Sequence, residues 1–317
     1  MVLTDIVTEF GAFYRNNGQN MDNLYRLAYA QTDTTKFMTP VVVDGTQWQA
    51  AQVTIGQVLQ PFHKNFTPTS GPTFTPLTIN LYHHKLDLLE YPDDLEASWL
   101  GFLSTEDVKR TDWPFVRWLL EKMLIPKFGR DYELNEIYKG VYAAPNGSAA
   151  GAAGTAMNGI GKVIADQIIA GNISPITTGA LSTTPQTFVE QVEAVVDGIV
   201  SVNEDYAKIP MNIFMSPALE TRYRRGFRAK YGVQTDFEGV TNSVQDTNFK
   251  IVGLSSMIGS SRIFATTKEN FVDLKYKKVR DGKFDIQGVD RSVKILGDVW
   301  RGAGFILPQV VFCNEQV

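Results

Sequence analysis

The sequence predicts an α+β chain, with helices in its middle and strands at both ends. Three observations carry that prediction. Residues 47–60 and 74–89 alternate around a Pro/Gly cluster. Residues 112–141 and 184–204 repeat apolar side chains at helical spacing. From Phe249 onward, short apolar runs are separated by turn residues. No period of repeat-protein length is present. At 317 residues the chain has room for one large domain or two moderate ones.

Residues 1–45 read as a loosely built leader. Short helical patches are predicted at 4–15 and 21–31, where Leu24, Leu27 and Ala28 fall at helical spacing, followed by "TPVVVDG". Val53, Ile55 and Val58 then alternate weakly. The cluster Pro68-Thr69-Ser70-Gly71-Pro72 separates them from "FTPLTINLYHHKLDLL", in which Leu77, Ile79 and Leu81 alternate. Two such runs around a Pro/Gly turn predict a long hairpin. Its prolines at 61, 68, 72 and 76 mark it as an edge element outside any central sheet, because proline cannot donate to a ladder.

"TDWPFVRWLLEKMLIPKFGRDYELNEIYKGVY" predicts one long helix, kinked at Pro126 and Gly129. Asp112 is its N-cap and Pro114 sits in the first turn, where a missing N–H costs little. Phe115, Trp118, Leu119 and Met123 share a face; Leu134, Ile137, Tyr138 and Val141 resume the spacing. The small-residue stretch 143–161 reads as a linker and domain boundary. A short helix over 157–170 follows. The helix over 184–204 has Thr184 as cap, Pro185 at its first position, and Phe188, Val192, Val195, Ile199 and Val202 as its stripe. A strand over 209–215 leads through Ser216-Pro217 into a helix over 217–230. The runs "FKIVGL", "SRIFATT", "FVDLKYKKV", "KFDIQG", "SVKILGDVW" and "GAGFILPQVVFCN" read as strands.

Composition narrows the function. A net charge of −4 argues against nucleic-acid binding by bulk electrostatics, which usually uses a basic domain. The single Cys313 excludes an internal disulfide and suits synthesis in a reducing compartment. The first residues lack a basic region before an apolar run, and no apolar stretch approaches the ~20 residues of a membrane span. The expectation is a soluble, cytosolically made protein.

No chemistry assembles from the reactive residues. His83 and His84 are adjacent, so a regular strand points them to opposite faces; with His63 they read as exposed strand histidines rather than metal ligands. "NGIGKVIAD" contains Gly-Lys, but Ala156 and Val163 stand where a phosphate loop needs glycine and serine or threonine. Ile164 breaks the dinucleotide fingerprint. Cys313, in "VVFCN", reads as a buried small hydrophobe. Asp93, Asp94 and Glu96 after Pro92 read as helix N-terminal charge. The sequence therefore predicts no enzyme, no metal and no cofactor.

One basic run stands out, "RYRRGFRAKYG", with Arg222, Arg224, Arg225, Arg228 and Lys230. At helical spacing it places a charged face opposite Leu219, Tyr223 and Phe227. Three readings stay open: contact with phosphate or an acidic partner, a solvated face whose cations complement the helix dipole, or salt bridging to a neighbouring subunit.

Taken in order, these pieces resemble the major capsid proteins of tailed double-stranded DNA phages, which have the Hong Kong 97 capsid fold. "MNIFMSPALETRYRRGFRAKYG" is similar to that family's strand, Met-Ser-Pro turn and basic helix ending in glycine. "FKIVGLSSMIGSSRIFATTKENFVDL" resembles its following hairpin, and "DVWRGAGFILPQVVF" its closing strands. The resemblance covers about residues 40 to 317, and the order of elements carries more of it than any single motif.

The resemblance implies a partition of the chain: 1–45 N-terminal arm, 46–90 extended loop, 91–145 peripheral domain with the spine helix, 146–284 axial domain, and 285–317 return strands of the peripheral domain. It implies a structural protein that assembles with itself into hexamers and pentamers of an icosahedral shell, made in the host bacterial cytoplasm and resident in the virion. The shell would enclose DNA without sequence-specific binding, with separate scaffolding and portal proteins, decoration proteins as further partners, and no membrane. Intersubunit contacts are implied at Phe62, Lys64 and Phe66 of the hairpin and at Arg224 and Arg225 of the basic helix. Some relatives crosslink a lysine of this loop to a neighbour's asparagine. Lys64 lies in the right element, but the sequence identifies neither the asparagine nor the acid. Rival readings are an encapsulin-like compartment, another virion component, and a basic-helix nucleic-acid binder.

Overall fold

The structure, a computed structural model, describes residues 8, 32–54, 56, 58–62, 64–66, 68, 71–110, 112–147, 149–232, 243–277 and 283–316. Apart from Thr8, the helical patches expected at 4–15 and 21–31 lie outside them, as does His63.

Strand β10 (Ser292–Phe305) organises the larger, five-stranded sheet. β4 (Tyr82–Glu90) runs antiparallel along one side of it. On the other side β9 (Lys283–Val289) flanks its first half and β8 (Phe271–Tyr276) its end. β1 (Thr39–Val43) joins β8 in parallel. Because side chains alternate, the register assigns each face a role. Leu86 and Leu88 of β4, Ile286 of β9, and Val293 and Ile295 of β10 share one face and pack against Trp99, Phe115, Trp118, Leu119 and Leu120. Val272 and Leu274 point the other way, joining Val43, Leu81, Trp48 and Ile79.

The helices covering the first face are α1 (Pro92–Thr105) and a long helical run, α2, over 115–136. α1 begins at Pro92 with Asp93 and Asp94 in its first turn, so these carboxylates complement the helix dipole as expected. α2 differs from expectation at three points. Pro114 is extended (φ −56°, ψ 154°) and precedes the helix, so Asp112 is not its cap. The helix also passes through Pro126 and Gly129 without breaking. It widens instead into two π-helical turns, Leu119–Leu124 and Tyr132–Glu136, closed by bonds five residues apart, from the Ile125 and Ile137 N–H groups to the Leu120 and Tyr132 carbonyls. The first widening directly precedes Pro126, whose ring would clash with the carbonyl four residues back in a tight α-turn. Finally, the extra residue per turn shifts the buried stripe, turning Leu124 inward and leaving the expected Met123 43% exposed.

The second sheet has the order β11 (Phe312–Cys313), β7 (Phe264–Thr266), β5 (Met211–Met215), β6 (Phe249–Gly253). Against it pack α4 (Pro185–Val202) and α5 (Pro217–Tyr231), with the shorter α3 (Ile160–Ile169) preceding them. Phe188, Val192, Val195 and Ile199 are buried as their spacing predicts. Val202 is not, because it is the last residue of the helix, beyond the packed turns. Gly226 is the hinge of this packing: a Cβ there would lie 2.0 Å from the Pro185 carbonyl oxygen.

The two final strand runs are divided differently from the sequence reading. "SVKILGDVW" and "GAGF" form one continuous strand, β10, and only Phe312–Cys313 pair beyond it. The sheets also run across the expected boundary at 284/285: β8 pairs with β10, and β11 pairs with β7.

Candidate assembly surface

The hairpin is present as a separate two-stranded sheet, β2 (Gln47–Thr54) with β3 (Thr73–Asn80). Its register, Gln47 with Asn80 through Thr54 with Thr73, moves the turn from the expected Pro68–Pro72 cluster to a long connection over 55–72. Three of the four prolines fall in that connection. Pro76 sits in β3, tolerated because this ribbon has open edges on both sides.

The root of the hairpin is fixed and its tip is bare. Trp48 and Ile79 pack into the apolar cluster with Val43, Leu81, Val272 and Leu274, and the Leu81 N–H donates to the Thr46 carbonyl at 2.8 Å. β3 approaches β10 so closely that a Cβ on Gly302 would lie 2.4 Å from the Asn80 carbonyl oxygen, and one on Gly304 3.0 Å from Ile79. At the tip, Phe62 is 94% exposed, Phe66 92%, Leu59 86% and Val58 63%, with Lys64 exposed between the two phenylalanines. Of these, the sequence reading singled out Phe62, Lys64 and Phe66. Val58 and Leu59 complete the apolar tip; Val58 belonged to the weak alternation of the first run, and Leu59 did not.

Arg224 and Arg225 lie on α5, beside the other sheet, and the hairpin residues are not brought to them. Much of this basic helix is held within the chain. Arg224 pairs with Glu220 one turn back. The Arg222 guanidinium donates to the Ser182 carbonyl at 2.9 Å and lies over the Phe188 ring. Lys230 reaches Glu193 at 2.7 Å, and the Tyr231 hydroxyl donates to the other oxygen of that carboxylate. Arg225 is exposed on the outer face.

The second π-helical turn of α2 is the junction that sequence reasoning missed. Glu133 is buried, and its carboxylate accepts from the Thr34 hydroxyl at 2.6 Å and from the Thr34 N–H at 3.2 Å. The Thr34 hydroxyl also meets the Ser256 hydroxyl at 2.7 Å. Burial pushes the Glu133 carboxyl upward in pKa, and the bonds from Thr34 pull it back. One π-turn step further, Glu136 accepts from the Gly154 N–H at 2.7 Å and the Ala156 N–H at 3.0 Å. The later part of the small-residue stretch is thereby tied to α2 at Gly154 and Ala156.

The remaining sequence candidates resolve into structure. Cys313 is buried with its thiol pushed up to about 11, the opposite of an activated nucleophile. His83 is half-exposed, stacked on Trp300 with Nε2 3.1 Å from Asp298. His84 is buried, which corrects the expectation of an exposed histidine: its face of β4 is the one covered by α2. Among the described residues no group of three or more His, Cys, Asp or Glu side chains could hold a metal ion, and no helix is long and apolar enough to cross a membrane.

No family model matches the sequence, and no curated protein is detectably similar to it. The fold, by contrast, has solved counterparts. A chain from the satellite phage P4 procapsid including size determination (Sid) protein superposes with a TM-score of 0.62 at 10% identity, covering 93% of this chain and 90% of that one. A chain from the capsid of an empty GTA particle gives 0.53 at 11% identity, covering 90% and 89%. One from the capsid of Myoviridae Phage XM1 gives 0.51 at 11% identity, covering 91% of each. The chain thus shares the mixed helix-and-sheet fold of phage capsid chains over nearly its whole length.

Proposed function

We propose that this chain is a structural major capsid protein, assembling with itself into the icosahedral shell of a tailed double-stranded DNA phage. The observation that carries the reading is the bare hairpin tip on a chain whose fold matches a procapsid chain over 93% of its length. A two-stranded ribbon is marginal in water, and exposed apolar side chains at its end are an aggregation hazard unless a partner covers them. In this reading 46–90 is the extended loop that lies on a neighbouring subunit, 1–45 the arm, 91–145 the peripheral domain with α2 as spine, 146–284 the axial domain and 285–317 the return strands. Phe62, Lys64 and Phe66 make one intersubunit contact, and Arg225, with Arg224 beside it, another. Hexamers and pentamers close the shell through repeated contacts of this kind. Scaffolding and portal proteins are separate chains, decoration proteins bind outside, and the role requires no catalysis. Negatively charged overall, the shell encloses DNA without gripping its sequence.

Electron microscopy of the purified chain, alone and coexpressed with a candidate phage scaffolding protein, tests this. Closed shells of uniform diameter, or rings of five and six subunits, are the expected result. A chain that stays monomeric in both cases overturns the reading. Protein cargo in place of DNA inside native particles would make it a storage compartment.

A further inference from the structure

Where β4 passes beneath the second π-helical turn, two polar side chains face each other inside the protein. His84 projects from the face of β4 that it shares with Val299, its partner on β10, and with Arg301 two residues on. Tyr132, the first residue of the π turn, comes down from α2, and the two rings lie 6.1 Å apart, tilted by 49°. Both residues are buried. Neither the His84 Nε2 nor the Tyr132 hydroxyl has a hydrogen-bond partner among the described residues, a rare state for buried polar atoms.

Charged groups of α2, β8 and β10 surround the pair. Glu133 and Glu136 of α2 accept from Thr34 and from Gly154 and Ala156. On β8, the buried Asp273 carboxylate lies 3.6 Å from Lys275 and adds negative charge beside Tyr132, while Arg301 of β10 adds a positive charge on the same face. His83 and Lys85 of β4 point to the opposite face, and His83 opposes a second positive charge so near. A proton on His84 would place a charge in a buried site where its Nε2 has no hydrogen-bond acceptor among the described residues, which is the costly arrangement.

We propose that the His84–Tyr132 contact is an acid-sensitive joint between β4 and the long helix, closed while the imidazole is neutral and forced open when it takes up a proton. Burial, with a smaller push from His83, holds the imidazole down to about 4 in the folded chain. In the unfolded chain it titrates near the ordinary ~6.5. Between those values the unfolded state binds the extra proton, so the joint's contribution is intact above ~6.5 and is lost progressively as the pH falls toward 4. Each pH unit in that window multiplies the unfolding constant by up to about ten.

The test uses the full chain and its pH-dependent unfolding in urea between pH 7.5 and 4, beside NMR titration of the His84 ring. The expected result is a ring that stays neutral to about pH 4 and an acid-dependent loss of stability that shrinks by up to about tenfold per pH unit in His84→Gln. Tyr132→Phe keeps the imidazole buried and retains the wild-type slope. Amide exchange, corrected for its intrinsic pH dependence, speeds up in 82–90 of the wild type on going from pH 7 to 5. A His84 ring that titrates near 6.5 in the folded chain overturns the proposal, as does an unchanged slope in His84→Gln. If that variant does not fold, the wild-type ring titration alone decides.

Discussion

Truncating the two phenylalanines at the hairpin tip, Phe62→Ala with Phe66→Ala, separates the subunit's own stability from its assembly. Both side chains are more than nine-tenths exposed, so the isolated subunit loses almost no burial, and its stability should stay within about 0.5 kcal/mol of the wild type. In a shell the same side chains are covered. Burying one phenylalanine is worth roughly 1.5–3 kcal/mol, so the pair removes about 3–6 kcal/mol from each contact. That is roughly two to four powers of ten in the contact equilibrium. Thermal melting followed by circular dichroism measures the first quantity, and sedimentation across a concentration series measures the second. The expected outcome is an unchanged melt and a loss of closed particles. A melt lowered by several degrees would mean that the tip packs within its own subunit. Particles forming at the wild-type concentration would remove the mechanical basis of the capsid reading.

Other substitutions probe the supports of that arm. Gly302→Ala sets a Cβ 2.4 Å from the Asn80 carbonyl oxygen, backbone against backbone, and should cost about 1–3 kcal/mol in chemical denaturation; a neutral effect would mean that the hairpin root moves freely on β10. Glu133→Ala leaves the Thr34 N–H and hydroxyl without their carboxylate and should destabilise by about 1–3 kcal/mol, with faster proteolysis near residues 32–38. Cys313 should react with a thiol reagent at pH 8 only after denaturant is added; prompt reaction in the native chain would contradict its burial. Charge reversal at both Arg224 and Arg225 should change the melt by no more than about 1 kcal/mol, since Arg224 loses only a half-exposed pair, yet should shift the oligomer distribution. Unchanged assembly combined with steeply salt-dependent DNA binding would instead favour phosphate contact.

The sequence was most legible where one period served one core. α4 and α5 follow their apolar stripes almost residue for residue, since each packs a single face against one sheet. It was least legible where geometry depended on a partner far along the chain. The hairpin root rests on Gly302 and Gly304, some 220 residues away, a contact that no local pattern announces, and the paired strands end at Thr54 and Thr73, far enough apart that the cluster at 68–72 lies at one end of the connection. Met123 failed because a periodicity of 3.6 cannot anticipate a π turn. Within the candidate surface, Phe62 and Phe66 came from the place of the hairpin in the order of elements, and both are exposed. The pairing of Lys230 was not readable, because Glu193 reaches it only through the packing of α4 on α5, whereas the Glu220–Arg224 pair, four residues apart on one helix, was present in the sequence and went unread.

The second π turn explains why one helix can serve three segments at once. In a regular α-helix, side chains three residues apart stand one above the other on the same face. Widening the turn to bonds five residues apart spreads Tyr132, Glu133 and Glu136 around the axis. Tyr132 then meets the large sheet at His84, Glu133 receives the chain entering at Thr34, and Glu136 receives the crossing at Gly154 and Ala156. Each carboxylate satisfies backbone N–H groups that no sheet or helix would otherwise pair, as buried backbone donors require. In the capsid reading the subunit carries load between neighbours, which needs the entering chain, the crossing and the sheet to move as one body. In this chain that coupling passes through five residues of widened helix, fastened by hydrogen bonds to charged groups rather than by apolar packing alone.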